Sequence, residues 1–382
     1  MDFDRHNDEV KTVWDSYNAG NPVRIPMILG MNARMVLLDL KYSGGVTFEE
    51  YYNDPRVMMD TQLKFRRFDA LEVPYDHQMG LPEDGWHLYP DFQNDVECGW
   101  FGAEVKYSDN AVPFTIPFLK DDDKKDILLK KGVPGLFGGL LGKALEYHGY
   151  FNKMKDTGFT YEGKPIHSVG FTGMGTDGPM TVCCMLRGTT EFCLDLYEDT
   201  GYALEMLDYV TEAAIFRIKG LRKYFGQPEI QPSLGFADDS IQLLSKNDYE
   251  QYILPFHKKL ISALTDQTGT NSIHLCGDAT RHFKQIQDEL NVYGFDTGYP
   301  IDFKRMLTEL SPETRMNGGV RVGTLLRESP ETVVENVRDI CETVKPLSKR
   351  FVMREANNLS PETPLTNIAA MYGAVKKYGI FE

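Results

Sequence analysis

The sequence predicts an α/β fold in which eight parallel strands alternate with helices and close into a (β/α)8 TIM barrel. Short apolar runs that end in Gly, Asn or Asp recur along the chain, and longer segments of helical periodicity separate them. The runs number eight, which suits a closed barrel, whereas open doubly wound sheets more often have about five to seven strands.

The eight predicted strands determine where the candidate site residues lie. In chain order they are VRIPMILG near 23, ALEVPYD near 70, HSVGFTG near 167, EIQPSLGFADD near 229, NSIHLCGD near 271, NVYGFDTG near 291, TRMNGGV near 314 and RFVMREANN near 350. The helical segment that starts at Ser329 opens with SPE, in which Ser can cap the helix and Pro suits the first helical position.

The alternation breaks between about residues 80 and 165, a stretch with many aromatic residues, DDDKKD and the run GVPGLFGGLLGKALEYHGY. We interpret it as an insertion after the second strand that folds over the barrel mouth as a lid, within one domain that spans 1–382. The glycine run lacks the GxxxxGK[ST] pattern of a phosphate loop, so it predicts a hinge or close helix packing.

Composition excludes several classes of function. The formal net charge of -15 argues against a broad nucleic-acid surface, which needs clustered Lys and Arg. No window reaches the roughly 18 apolar residues of a membrane span, and the first ten residues do not read as a signal peptide, so we expect a cytoplasmic protein. Six cysteines are too few for a disulfide scaffold and are expected to be reduced.

Polar residues stand where the predicted strands end, which is where the active sites of such barrels lie. They are Asn32, Arg34, Asp76, His77, Asp238, Asp239, His274, Cys276, Asp296, Arg321, Glu355 and Asn357. These positions are the candidates for substrate binding and catalysis.

The most specific hypothesis for these positions is a metal site. His274 and Cys276 are two residues apart on one strand, so both side chains face the same way, and an imidazole with a thiolate favours zinc. A third ligand must come from another strand, and Asp239 and Glu355 are the acidic candidates. The alternative is a small buried Cys beside a hydrogen-bonded His.

The remaining candidates have a structural and a functional interpretation each. Asp76 is a general acid or base, or else a helix N-cap. Of Asp238 and Asp239, one is predicted to cap the following helix while the other faces the mouth. Other residues could line an aromatic pocket or bind an anion, or else belong to the core or a rim ion pair. They are Tyr75, Phe236, Phe295, Tyr299 and Arg321.

Several segments together resemble the uroporphyrinogen decarboxylase superfamily and the corrinoid-linked methyltransferases that share its fold. They are GFTGMGTDGPMTVCCMLRGTTEFCLDLYEDTGYALEMLDYVTEA, FDALEVPYD, ADDSIQLLSKNDYEQYILPFHKKL, IHLCGD and SPETPLTNIAAM. The resemblance runs from about residue 5 to the end, apart from the insertion. It implies an eight-stranded barrel and leads us to expect a homodimer.

The resemblance is stronger to the methyltransferase branch. In true decarboxylases an Asp after the second strand, here Asp76, holds the pyrrole hydrogens, but their arginine-rich segment after the first strand reads MILGMNAR here and keeps only Arg34. The methyltransferases carry HxCG, which His274, Cys276 and Gly277 match. Their later Cys is replaced by Asn357, and we expect Glu355 to substitute as ligand.

The leading hypothesis is a zinc-dependent methyltransferase that demethylates a small O-methyl compound, such as an aryl methyl ether, and passes the methyl group to cobalt in a separate corrinoid protein. The chain has no DxHxxG segment of the usual corrinoid-binding type, so cobalamin is expected on a partner. Asp76 or His77 would orient the substrate. Two alternatives stay open: a metal-free decarboxylase centred on Asp76, and a catalytically silent binding barrel.

Overall fold

The computed structural model describes residues 2–109 and 111–381, and a parallel sheet organises them. Five strands lie side by side in the order β10-β9-β8-β7-β6, with every neighbouring pair parallel. The ten strands are β1 Trp86–Leu88, β2 Val105–Lys106, β3 Phe114–Thr115, β4 Thr160–Tyr161, β5 Lys164–Val169, β6 Gly235–Ala237, β7 Asn271–Leu275, β8 Val292–Thr297, β9 Arg315–Arg321 and β10 Phe351–Ala356.

Helices occupy most of the chain between the strands. They are α1 Phe3–Asn18, α2 Arg34–Leu37, α3 Leu40–Ser43, α4 Phe48–Asn53, α5 Pro55–Glu72, α6 Val96–Phe101, α7 Ile127–Lys131, α8 Gly139–Asp156, α9 Pro179–Arg187, α10 Thr189–Glu198, α11 Thr200–Tyr224, α12 Lys246–Asp248, α13 Leu254–Leu264, α14 Thr280–Leu290, α15 Phe303–Glu309, α16 Val322–Arg327, α17 Pro330–Val344 and α18 Leu365–Tyr378. Short turns of other helical types cover Gln93–Asp95, Asp239–Leu243 and Tyr249–Ile253. None of the helices described combines the length and the apolar character needed to cross a bilayer.

The parallel order extends past both edges of the five-stranded sheet through single contacts. Met27 forms a parallel bridge with Met353 of β10, and the backbone N–H of Asp76 donates to the carbonyl oxygen of Met27 over 3.1 Å. At the other edge, the N–H of Ala237 in β6 donates to the carbonyl oxygen of Thr176, which follows β5, again over 3.1 Å. These contacts connect the segments at Met27, Asp76 and Thr176 to the five-stranded sheet, in the order that a barrel requires.

Two of the eight predicted segments contain none of the ten strands. The run near 23 forms only isolated bridges, at Arg24 and Met27. The prediction of a strand over ALEVPYD was wrong at its start, because α5 continues through Glu72 and the extended backbone begins at Val73. Ala70 and Leu71, at the end of an amphipathic helix, resemble the start of a buried strand when only their hydrophobicity is considered. The other six predicted segments overlap strands, although β6 is only three residues long.

The segment predicted as an insertion contributes to the sheet as well as to the mouth. Its strand β1 pairs in parallel with β5, with Trp86 opposite Ile166. The helix at Ser329 begins as predicted, because the Ser329 hydroxyl accepts from the N–H of Thr332 and Pro330 is the first helical residue. Gly178 permits a tight approach before α9: its φ is +86°, and a Cβ there would lie 2.3 Å from the carbonyl oxygen of Ala237.

The strands β6 to β9 alternate between buried and accessible residues, which separates the core from the barrel interior. Apolar residues such as Phe236, Ile273, Phe295 and Met316 are buried between the strands and the helices. Residues of the opposite face are small or polar and remain accessible. They are Gly235, Ala237, Ser272, His274, Gly294, Asp296, Arg315 and Asn317. The interior is therefore an open polar space. In many other barrels, branched apolar side chains fill the interior.

We expect Asp95 to make stability depend on pH. Burial raises the pKa of Asp95 to about 6, although the Tyr52 hydroxyl donates to it over 2.8 Å. The folded state then holds one more proton than the unfolded state between about pH 4 and 6, so this group's contribution falls as pH rises through that window. Asp95→Asn keeps an acceptor for Tyr52 and cannot ionise. Its free energy of unfolding, relative to wild type, should rise by roughly 1 to 3 kcal/mol from pH 4.5 to 7.5 in urea titrations. A constant difference would contradict the assignment.

Candidate active site

A cavity of about 630 Å³ opens where the strands β6 to β9 end and continues into the barrel interior. The lining includes inward residues of β6 to β9 together with Arg354 of β10. A second wall comes from the segment 93–97 and a third from residues 172–177 after β5. This volume falls in the range that small-molecule sites occupy.

Three potential ligands form a cluster beside this cavity: His274, which lines it, with Asp239 and Cys276 next to the His. One donor atom from each lies within 4.8 Å of the other two. The Nε2 atom of His274 is 3.0 Å from Sγ of Cys276 and 3.9 Å from a carboxylate oxygen of Asp239. The same Asp239 oxygen accepts the backbone N–H of Cys276 over 2.7 Å, which fixes the carboxylate beside the thiol.

The second ring nitrogen of His274 is held by a carboxylate. Nδ1 lies 2.6 Å from Oδ2 of Asp296 on the neighbouring strand β8. When Nδ1 carries the proton and donates it to Asp296, the lone pair of Nε2 faces Cys276 and Asp239. A carboxylate behind the imidazole is the usual partner of a metal-binding His, because it fixes both the tautomer and the ring orientation.

Arg354 completes this arrangement from β10. Its guanidinium pairs with both oxygens of Asp296, and its Nη2 lies 2.9 Å from Oε1 of Glu355. Burial lowers the pKa of His274, but the hydrogen bond and charge of Asp296, with the charge of Asp239, outweigh burial and raise it above its ordinary value. Burial and the nearby charge of Asp239 raise the pKa of the Cys276 thiol well above its usual range.

The donor set fits zinc, which accepts imidazole, thiolate and carboxylate ligands. Two observations support this fit: the three donors are clustered at partly exposed side chains, and a carboxylate orients the His from behind. A bound divalent cation would also favour the Cys276 thiolate, because its positive charge would offset the negative charge of Asp239 and partly compensate the cost of burial.

Glu355, expected from the sequence as the third ligand, is not part of this group. Arg354 reaches into the barrel, so its neighbour Glu355 lies on the opposite face of β10. Its Oε1 accepts the N–H of Gly30 over 2.8 Å, and burial raises its pKa to about 7. The prediction of Glu355 as a ligand required Glu355 and Asn357 to share a strand face. The strand ends at Ala356, however, and Asn357 has a φ of +105°.

Asp76 and His77 lie away from the cavity. Both carboxylate oxygens of Asp76 are paired with Arg24, at 2.6 and 2.7 Å, and they also accept from the N–H of Met27 and the hydroxyl of Tyr372. The side chain is fully buried. The ring of His77 stacks on Tyr75, with 3.8 Å between centroids.

The other predicted residues divide between the cavity wall and the surface. Phe236 lines the cavity. Arg34 lies behind its wall, where Nε donates to Gln93 over 2.6 Å, and Asn32 accepts the N–H of Arg34. The Tyr75 hydroxyl bonds Asp69. The Arg321 guanidinium stacks 5.3 Å from the centroid of the half-exposed Tyr299 ring. Asn357 offers its carbonyl oxygen to Arg354.

Asp238 does not cap the following helix, as one of the two adjacent aspartates was predicted to do. It is buried and accepts the N–H groups of Met180 and Thr181 at the start of α9, while Asp239 is partly exposed beside His274. The capped helix therefore precedes β6 in sequence, which a reading of the local sequence could not reveal. His257 adds a hydrogen bond to Asp238 over 2.8 Å.

The sequence did not reveal a group of charged residues that surrounds the segment following β5. Glu97 pairs with Arg217 and accepts from the Thr176 hydroxyl and the Asp177 N–H, at 2.8 and 2.9 Å. Burial and the charges of Glu97 and Asp239 raise the pKa of Asp177 to about 7. The position of Asp177 after the third predicted strand was the available signal.

Together, the barrel and the site at the strand ends define a protein of the α/β-barrel enzyme class. The chain belongs to the uroporphyrinogen decarboxylase (URO-D) family, whose model matches residues 167–378, more than half of the chain. This confirms the family and the fold that the sequence indicated.

Methyltransferases are prominent among its relatives. The methylcobamide:CoM methyltransferase MtbA of Methanosarcina acetivorans is 24% identical over 314 residues, which cover 81% of this chain and 80% of that protein. A uroporphyrinogen decarboxylase of Orientia tsutsugamushi (strain Ikeda) is 23% identical over 137 residues, which cover only 36% of this chain and 39% of that protein. The structure of a methyltransferase from Methanosarcina mazei superposes with a TM-score of 0.65 at 19% identity and covers 97% of this chain and 98% of that one.

Asp76→Asn tests the structural role of the Arg24 pair. The substitution removes the closer of the two carboxylates that pair with the buried Arg24 and leaves only Glu9, at 3.2 Å, so we expect the free energy of unfolding to fall by about 3 kcal/mol. Chemical denaturation measures the loss, and Asp69→Asn serves as a control at a nearby carboxylate with no arginine partner within 4.0 Å among the described residues. A loss below that of the control would show that the pair is not the main support of this end of the barrel.

Proposed function

We propose that this protein is a zinc-dependent methyltransferase that takes a methyl group from a small O-methyl compound and passes it to a separate corrinoid protein. The observation that carries the proposal is the convergence of the donor atoms of Asp239, His274 and Cys276 beside the cavity that His274 lines, with Asp296 behind the His. The similarity to a methylcobamide methyltransferase over four fifths of the chain supports the same class of reaction.

Asp239, His274 and Cys276 would hold the zinc ion. Bound there, zinc supplies Lewis acidity that polarises the oxygen of the methyl donor. A site with only one thiolate is a harder Lewis acid than a thiolate-rich one, which suits an ether oxygen. Asp296 keeps the imidazole of His274 in the tautomer that a ligand needs, and Arg354 holds Asp296 in place.

Asp177 is placed to serve the donor oxygen. It lines the same cavity, its charge interacts with that of Asp239, and its carboxyl has no hydrogen-bond partner among the residues of the described chain. Methyl transfer breaks the bond between oxygen and the methyl carbon, and the electron pair stays on the oxygen. The methyl carbon would form its new bond to the reduced cobalt of the corrinoid protein, which would supply the electron pair for that bond. A proton from the Asp177 carboxyl would neutralise that oxygen as the product forms.

The decarboxylase alternative depended on Asp76. That carboxylate is saturated by Arg24, Met27 and Tyr372, and it is absent from the described lining of the cavity. The geometry therefore lends the alternative no support.

Metal content tests the ligand set directly. Protein purified without chelator and dialysed against zinc should hold about one zinc per chain, and Cys276→Ala and Asp239→Asn should each lose it, because three protein ligands are usual at a catalytic zinc site. Glu355→Gln is the matched control: it removes an acidic candidate outside the cluster and should keep the metal. Elemental analysis of all four proteins decides the question. Zinc retained in Cys276→Ala, or lost in Glu355→Gln alone, would contradict this ligand set.

Methyl transfer tests the role of Asp177. In an assay with an aryl methyl ether and a reduced corrinoid protein, Asp177→Asn should lower kcat by about 100-fold, the usual effect of losing a general acid. Its zinc content should stay at the wild-type level. A kcat equal to that of wild type would remove Asp177 from the mechanism, and loss of zinc in this variant would instead make it a ligand.

A further inference from the structure

The inner end of the cavity contains an arginine that the proposed reaction does not use. Arg315 is the first residue of β9, lies on the inward face and lines the cavity. No carboxylate of residues 2–109 and 111–381 lies within 4.0 Å of its guanidinium. Its Nε donates to the side-chain oxygen of Asn317 over 3.0 Å, while its other two nitrogens have no hydrogen-bond partner in that part of the chain.

Small residues keep the path to Arg315 open. At the level of Arg315 the neighbouring inward positions are Gly294 on β8, directly opposite in register, and Ser272 on β7, opposite Gly294. Both line the cavity with Gly235 of β6. A branched side chain at these positions would fill the interior, as in many barrels of this type.

The neighbours of Arg315 on α1 are aromatic rings, which leave its positive charge without a counter-charge. Its guanidinium carbon lies 5.9 Å from the ring of Trp14 and 6.0 Å from the ring of Tyr17, both on α1. The faces of aromatic rings attract a cation but do not neutralise it as a carboxylate would. A planar guanidinium with two unoccupied N–H edges suits a carboxylate, which it can bind with two hydrogen bonds.

Strand register sets the length of a molecule that would reach both ends. Asn317 pairs with Asp296, and Asp296 pairs with His274, so the candidate metal cluster begins one inward position above Arg315. Two residues along a strand span about 6.6 Å, and Cys276 lies a further step toward the mouth. This is a spacing between backbone positions, and the Arg315 side chain itself reaches Asn317, so a molecule with one substituted aromatic ring is long enough to contact both ends.

We infer that the methyl donor is an anionic aryl methyl ether whose carboxylate binds Arg315 while its methoxy group faces Asp239, His274 and Cys276. The inference rests on the proposed function and narrows its substrate class.

Isothermal titration calorimetry with two ring-length probes tests the inference without any corrinoid protein. The probes are 4-methoxybenzoate and its neutral isostere 4-methoxybenzamide. Wild-type protein loaded with zinc should bind the benzoate at least about 10-fold more tightly, because a charge-assisted hydrogen bond contributes more than a neutral one. Arg315→Met should lose that advantage and leave the benzamide affinity unchanged, while Arg315→Lys should keep part of it.

A matched variant separates charge recognition from folding. Arg350 also lies over the ring of Tyr17, at 5.0 Å, but it does not line the cavity, so Arg350→Met should retain the preference for the benzoate. Equal affinity for both probes in wild type, no binding of either at millimolar concentration, an unchanged preference in Arg315→Met, or equal loss of both probes in that variant would each overturn the inference. Failure of methyl transfer with intact benzoate binding would count against the proposed function alone.

Discussion

The ion pair between Asp296 and Arg354 links the strands that carry the site. Asp296 stands on β8, accepts from His274 on β7 and pairs with Arg354 on β10, so one carboxylate joins three strands across the barrel interior. Arg354 is buried and also pairs with Glu355, which holds the N–H of Gly30 at the end of the first predicted strand. The orientation of the imidazole thus depends on contacts that run to the far side of the barrel.

The two carboxylates that share the Arg354 guanidinium differ in how strongly they hold their charge. The nearby guanidinium and imidazole lower the pKa of Asp296 despite its burial, so its carboxylate is the form that faces His274. Glu355 shares the same guanidinium but is more deeply buried, and burial raises its pKa to about 7. One arginine therefore stabilises one carboxylate more than the other. The difference matters because Asp296 must remain an acceptor for the imidazole to keep its tautomer.

The fold could be predicted from the sequence, and so could part of the site. Six of the eight strands, the Ser329 cap and the pair His274 and Cys276 follow from periodicity and from the two-residue repeat of a strand. Those are local rules, and they hold where the backbone is regular. Glu355 was misjudged because the regular repeat stops at Ala356, and the backbone angle of Asn357 is not visible in the sequence.

The residues that the sequence did not reveal act through contacts between distant segments. Glu97 and Arg217 are 120 positions apart, and Asp238 caps a helix that begins 59 positions earlier at Pro179. No periodicity within one segment encodes such pairs. Asp177 is different, since it follows a predicted strand and its position alone made it a candidate.

Exposure, rather than residue type, separates the structural carboxylates from those that can act in chemistry. The Asp76 side chain is 0% exposed and its oxygens accept from Arg24, Met27 and Tyr372, so no lone pair is left for a substrate. The Asp239 side chain is 37% exposed. One of its oxygens accepts the backbone N–H of Cys276 and lies 3.9 Å from Nε2 of His274. Both residues follow strand segments of the same barrel, and the sequence alone ranks them alike. Asp76 pairs with Arg24 and accepts from Tyr372 of α18, so it holds α18 against the first strands. Breaking the buried ion pair would cost several kcal/mol, which makes a structural role the stable one for Asp76. Asp239 has no such partner within 4.0 Å in the described chain, which leaves its charge available to a cation at the strand ends.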